Sequence, residues 1–189
     1  MKGSRAALAV LIGLAGCSAA LAGPVADDAI RAEQLQAAGD AAGADSALAD
    51  AHAKLWEAGP LYVRRAALVK APAASFGNFE ARADNRFAPG EAIRLYIEPA
   101  GYGFTKTATG YSVSFQVDAE IVSDNGTTIW GRRDIHRFGA DSTTRVFEFF
   151  DTLAFDLQGL PPGDYDIRTT LTDSATQKTV TIDTPVHIE

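Results

Sequence analysis

Three histidines, one cysteine and a spread of carboxylates are the side chains whose spacing could do chemistry in this chain of 189 residues. Nucleophilic catalysis needs a Ser or Cys, a base and an orienting acid. The available bases are His52, His136 and His187, and no Gly-x-Ser-x-Gly elbow accompanies them. His136 reads as a loop residue among Arg132, Arg133, Asp134 and Arg137. Asp134 and His136 stand two apart, a spacing that on a strand puts both on one face and suits surface hydrogen bonding better than catalysis. No His-x-x-Glu-His or Glu-x-x-His spacing offers a metal site, and Asp124-Asn125-Gly126 lacks the later acids of a calcium loop. Asp118 and Glu120 read as a solvated face. Gly101-Tyr102-Gly103 precedes no helix and no Gly-Lys-Ser, so it reads as a loop rather than a phosphate cradle. The expectation is no catalytic residue, no metal and no cofactor.

Two clusters could bind something. The first is Tyr96, Tyr102, Phe104, Tyr111 and Trp130, around the glycine-rich segment Pro99–Gly110. Aromatics there could form a ligand or peptide platform, or tuck against the core. The second is Arg132, Arg133, His136 and Arg137, with Arg145. It could receive an anionic group, or simply keep an edge strand soluble.

Strands must position these residues. Leu157 to Thr172, LQGLPPGDYDIRTTLT, sets prolines and glycines ahead of a run that alternates with period two. Its Leu-x-x-Gly-x-Tyr spacing resembles the tyrosine corner of immunoglobulin-like sandwiches, in which the Tyr bonds back to upstream backbone. Other strand-like runs are Leu61 to Val69, Asn78 to Arg82, Ala92 to Glu98, Tyr111 to Val122, Thr127 to Asp134, Val146 to Asp156 and Thr179 to Ile188. Asn125-Gly126 accepts the positive φ of a hairpin turn. About eight strands with short links predict a mainly β fold, an immunoglobulin-like antiparallel β-sandwich over 61–189.

Ahead of it, 23–60 is rich in Ala with Glu, Gln, Lys and Leu, and predicts a short α-helical arm. Its first helix would be capped by Asp27 or Asp28. The second would be capped by Asp45 or Ser46 and stopped at Gly59-Pro60. Residues 1–22 have the three parts of a secretory signal. Leu14-Ala15-Gly16-Cys17 resembles a bacterial lipobox, which would leave a lipid-bearing Cys17 at the mature N-terminus. Ala20-Leu21-Ala22 competes as a cleavage site before Gly23. Ser18 after Cys17, rather than Asp, is similar to lipoproteins released to the outer membrane. The lone cysteine rules out an intramolecular disulfide and a cysteine zinc cluster. Without Lys2 and Arg5 the mature charge is 15 − 24 = −9, which argues against nucleic acid as a partner.

The chain resembles a group of uncharacterised exported bacterial proteins with a helical arm and a β-sandwich. The matching pieces are Leu55-Trp56-Glu57-Ala58-Gly59-Pro60-Leu61, Phe87-Ala88-Pro89-Gly90-Glu91, Tyr96 to Phe104 and Gly159 to Tyr165. Gly59 stands where the group has Ala. The resemblance implies a fold and export, and no reaction. The expected function is therefore a non-enzymatic accessory protein on the periplasmic side of the bacterial cell envelope. It would bind another envelope component through the sandwich. The alternative is a periplasmic module that binds a small anionic ligand with the aromatic loop and the basic cluster.

Overall fold

The computed structural model describes residues 23–189. The expected leader, with Cys17 and the expected lipobox, lies outside the described residues. The fold is mainly β, with two helices and two sheets.

The chain divides into two compact units that meet at Ala51 and His52, inside the second helix. In the first unit, α1 (Pro24–Ala37) starts at a proline, whose missing N–H is no loss in a first helical turn. α2 (Ala41–Ala58) begins ahead of both expected caps, Asp45 and Ser46. Asp40 instead accepts the Gly43 N–H at 2.9 Å and ends the unpaired first turn.

The second unit holds all the strands. β1 (Tyr62–Leu68), β3 (Ile93–Ala100) and β7 (Asp151–Phe155) form an antiparallel sheet with β3 in the middle. The other sheet runs β2 (Arg86–Phe87), β9 (Thr179–Ile188), β8 (Gly163–Asp173) and β5 (Tyr111–Ser123), with the short β4 (Thr105–Lys106) continuing on β5 beyond β8. β6 (Thr128–Ser142) pairs with β5 alone, across the expected Asn125-Gly126 turn. One connection departs from the antiparallel expectation: β2 pairs parallel to β9 through Arg86 opposite His187. Side chains from both sheets enter one buried cluster, including Leu95, Ile97 and Leu153 from the first and Phe115, Val117, Ile167 and Leu171 from the second.

Three expected strands change. Asn78 to Arg82 is a loop with two isolated bridges, Ser75 to Asn78 and Val69 to Ala81. It lies over the outer face of β3, where Phe79 packs on Tyr96 at 4.2 Å between ring centres. Of Val146 to Asp156 only the second half is strand: Phe147 and Phe149 still pack inward, on Trp56 and Tyr102, but the pairing with β3 covers only Asp151–Phe155. β6 is much longer than Thr127 to Asp134, so His136 is a strand residue rather than a loop residue.

Tyr165 forms the expected corner: its hydroxyl donates to the Pro161 carbonyl at 2.9 Å. The turn between β8 and β9 is held by buried Asp173, which accepts the N–H groups of Gly103 and Ala175 and the Thr176 hydroxyl. Lys178, at the end of that turn, points its ammonium at the carbonyls of Glu57, Gly59 and Gly101, at 2.9, 2.6 and 3.4 Å.

Candidate functional site

The aromatic residues singled out by the sequence go to three places. Tyr96 and Tyr102 are fully buried. Tyr96 accepts the Gly77 N–H at 2.8 Å and donates to buried Glu98 at 2.7 Å, so its ring and hydroxyl are both used by the loop above it. Burial raises the Tyr96 pKa. Tyr102 plugs the end of the core. Trp56, Phe104, Phe115 and Phe149 surround it at 5.0 to 6.1 Å between ring centres, and its hydroxyl donates to the Val146 carbonyl at 2.6 Å. Phe104 and Tyr111 pack on each other at the edge of this cluster, where Arg145 lies over the Tyr111 ring. Trp130 is elsewhere, on β6, and 44% exposed. These five side chains therefore form no common platform.

The basic cluster is split by the two-residue period of β6. Trp130 and Arg132 stand opposite Ile121 and Ala119 of β5, and His136 opposite Val117, so these side chains take the inward face. Arg137 stands opposite Gln116, on the outward face. Between them the register slips at Asp134, which has a positive φ of 53°. This bulge undoes the sharing of a face expected for Asp134 and His136. Asp134 grips Arg137 through two bonds of 2.7 and 2.8 Å, and the Arg137 hydrogen bond holds its carboxyl below the usual range. His136 instead meets Asp151 of β7 at 2.8 Å.

That contact crosses from one sheet to the other. β6 and β7 are edge strands of different sheets, and a cleft of about 440 Å³ opens between them. Its apolar lining is Ile121, Trp130, Ile135, Leu153, Phe155, Leu157 and Leu160, and its polar rim includes Arg132, His136, Asp156 and Gln158. The cleft is bounded near the start of β7 by the His136–Asp151 pair. Beyond the end of β7 the wall is the segment from Asp156 to Leu160. Asp156 accepts the Gln158 amide at 3.1 Å. Arg132 makes no ion pair among the described residues.

A second hollow, on the outer face of β5, β6 and β8, is polar. Asp118, Glu120, Arg132, Arg133 and Arg168 line it, so Arg132 borders both hollows. Arg168 is already held by Asp183 through bonds of 2.9 and 3.2 Å. Arg168 also faces Glu120 at 4.0 Å, and the lining has no large apolar side chain, so this hollow is the weaker site for an apolar guest.

The first cleft combines an apolar floor with few reactive groups in its lining. His136 and Asp151 resemble two members of a triad, yet the one hydroxyl in the lining is Thr152, whose oxygen accepts the Ala73 N–H at 3.1 Å. No cluster of three metal-ligating side chains occurs among the described residues. The sequence pointed to Trp130, Arg132 and His136. The apolar lining from Ile121, Ile135, Leu153, Phe155, Leu157 and Leu160 escaped it. Leu153 and Phe155 fall in the expected run Val146 to Asp156, with nothing in the sequence to say that this strand is an edge.

No protein family matches this chain, and no curated sequence matches it significantly. Among solved structures, it is similar to the sporulation control protein Spo0M of Bacillus subtilis, at 13% identity and a TM-score of 0.38 over 69% of this chain and 50% of that one. A family 123 glycoside hydrolase from Clostridium perfringens gives 11% identity and a TM-score of 0.34, over 56% of this chain and 23% of that one. The alkylpurine DNA glycosylase AlkC of Pseudomonas fluorescens gives 8% and 0.39, over 80% and 38%. This chain thus spans half or less of each neighbour's length.

Proposed function

We propose that this protein is an exported, non-enzymatic binding module of the bacterial cell envelope. Its cleft between β6 and β7 receives an apolar group of another envelope component. The observation that carries the reading is the exposed Trp130 over an apolar floor, in a hollow of the size that small ligands fill. Two facing edge strands that leave such a seam unfilled are a natural place for a guest. The two sheets are read as an immunoglobulin-like sandwich, on the strength of the Tyr165 corner and the shared core. The export signal and the likeness to exported envelope proteins with a helical arm favour the periplasmic side, with Cys17 as a lipid anchor.

Binding is tested with Nile red, a neutral apolar dye. The expected result is saturable binding that weakens at least about tenfold in Trp130→Ala, since a buried aromatic face contributes on the order of 1.5–3 kcal/mol. Trp130 is substantially exposed, so the variant should unfold within about 0.5 kcal/mol of the parent. Equal dye affinity in parent and variant would rule the cleft out. Anchoring is tested by the intact mass of protein recovered from native membranes. A triacylated Cys17 start, lost together with membrane association in Cys17→Ala, is expected. A soluble protein starting at Gly23 would end the anchor proposal.

A further inference from the structure

Resting on that reading of the cleft, we infer that its occupant is a single-chain amphiphile with one anionic head, such as a medium-chain carboxylate. The apolar part would lie along Leu153, Phe155 and Leu160, and the head would meet Arg132.

Charge complementarity selects the head group. The rim holds four groups that can carry charge or strong dipoles, and most are engaged. His136 is turned to Asp151, and Asp156 to the Gln158 amide. Arg132 alone of the rim's charged residues makes no side-chain hydrogen bond or ion pair among the described residues, although Asp118 and Glu120 flank the residue it faces on β5. A guanidinium presents its donors as a planar fork that fits a carboxylate in two parallel bonds. It is placed by register: opposite Ala119 it rises from the inward face, beside Trp130. In a chain whose formal net charge is −7, a cation left open at the mouth of an apolar hollow is the feature that attracts an anion.

The shape selects the body. Added β-strands normally run the length of a free edge. Here the His136–Asp151 pair crosses the seam near one end and the Asp156-to-Leu160 segment walls the other. A through-running peptide would have to displace both. A short, flexible chain of methylenes can enter through the mouth and leave both ends closed.

Calorimetric titration with decanoate and with decanol separates this inference from the reading beneath it. The two probes share a chain and differ in charge. Decanoate is expected to bind the purified protein between about tenfold and a hundredfold more tightly than decanol, the usual worth of a charged hydrogen bond. Arg132→Gln should bring decanoate to the level of decanol and leave decanol unchanged. Shortening decanoate to octanoate should weaken binding about tenfold, as expected for two methylenes. Equal affinity for acid and alcohol would overturn the anionic head while the apolar cleft stands. Failure of both probes to saturate would remove the cleft reading as well. Binding of an extended Val-Glu repeat peptide, with neither amphiphile bound, would overturn the inference in favour of strand addition.

Discussion

Gly101→Ala is expected to destabilise the protein by about 3 kcal/mol. Left-handed backbone costs an L-residue about 1–2 kcal/mol, and moving packed neighbours adds a comparable amount. Gly101 follows β3 with a φ of +77°, and a Cβ there would overlap the Pro60 carbonyl oxygen and come 3.1 Å from its carbon. Both atoms are backbone, immediately ahead of β1, so no flexible side chain can swing aside. Tyr62 pairs with Ala100 next door, which ties the obstacle to the sheet. The same shift would disturb the Gly101 carbonyl that faces the Lys178 ammonium. Urea unfolding with an unchanged slope and a loss below about 1 kcal/mol would show that the turn has more freedom than its geometry allows.

Tyr102→Ala should cost about 4 kcal/mol, within the range for emptying an aromatic site in a close-packed core. The cavity would open among Trp56, Phe104, Phe115 and Phe149. Tyr102→Phe keeps the ring and leaves the Val146 carbonyl unpaired, for about 1 kcal/mol. The two variants also differ in alkali. Burial pushes the Tyr102 hydroxyl well above its ordinary range, with a small opposing pull from Arg64. The folded protein therefore keeps this proton where the unfolded chain releases it. The contribution is complete below the unfolded value of about 10 and is lost as pH climbs towards the folded value. Tyr96 acts in the same direction. Urea midpoints should accordingly fall above about pH 10, and less steeply in Tyr102→Phe. A parent midpoint that stays flat through that window would show that the phenol ionises without unfolding anything.

Much of the architecture was legible because it follows local rules. The alternation from Tyr165 to Leu171, the Asn125-Gly126 turn and the Tyr165 corner all came through as β8, the β5–β6 hairpin and the bond to Pro161. The misreadings have a common physical origin. Phe147 and Phe149 look like strand residues and do pack inward, but β3 pairs only from Asp151 onward, which no local pattern announces. Asp134 adopts a positive φ, which no period-two count anticipates, and so His136 finds Asp151 instead of its sequence neighbour. The cleft was half visible for the same reason. Trp130, Arg132 and His136 announce themselves by type, whereas Leu153 and Leu160 become lining only because β7 ends its sheet.

The placement of Trp56 also decides where the chain can be cut. Composition changes at Pro60, and a fragment starting at Leu61 looks like the natural β domain. Yet the Trp56 indole donates to the Tyr102 carbonyl at 2.8 Å, and its ring meets Tyr102 and Phe147. Lys178 reaches the carbonyls of Glu57 and Gly59. The last turns of α2 thus act as a lid stitched to the strands. Excision at Leu61 would strip a donor, a ring and two acceptors from the interior at one stroke. An excised β domain should begin no later than His52, whose ring already packs on Phe147.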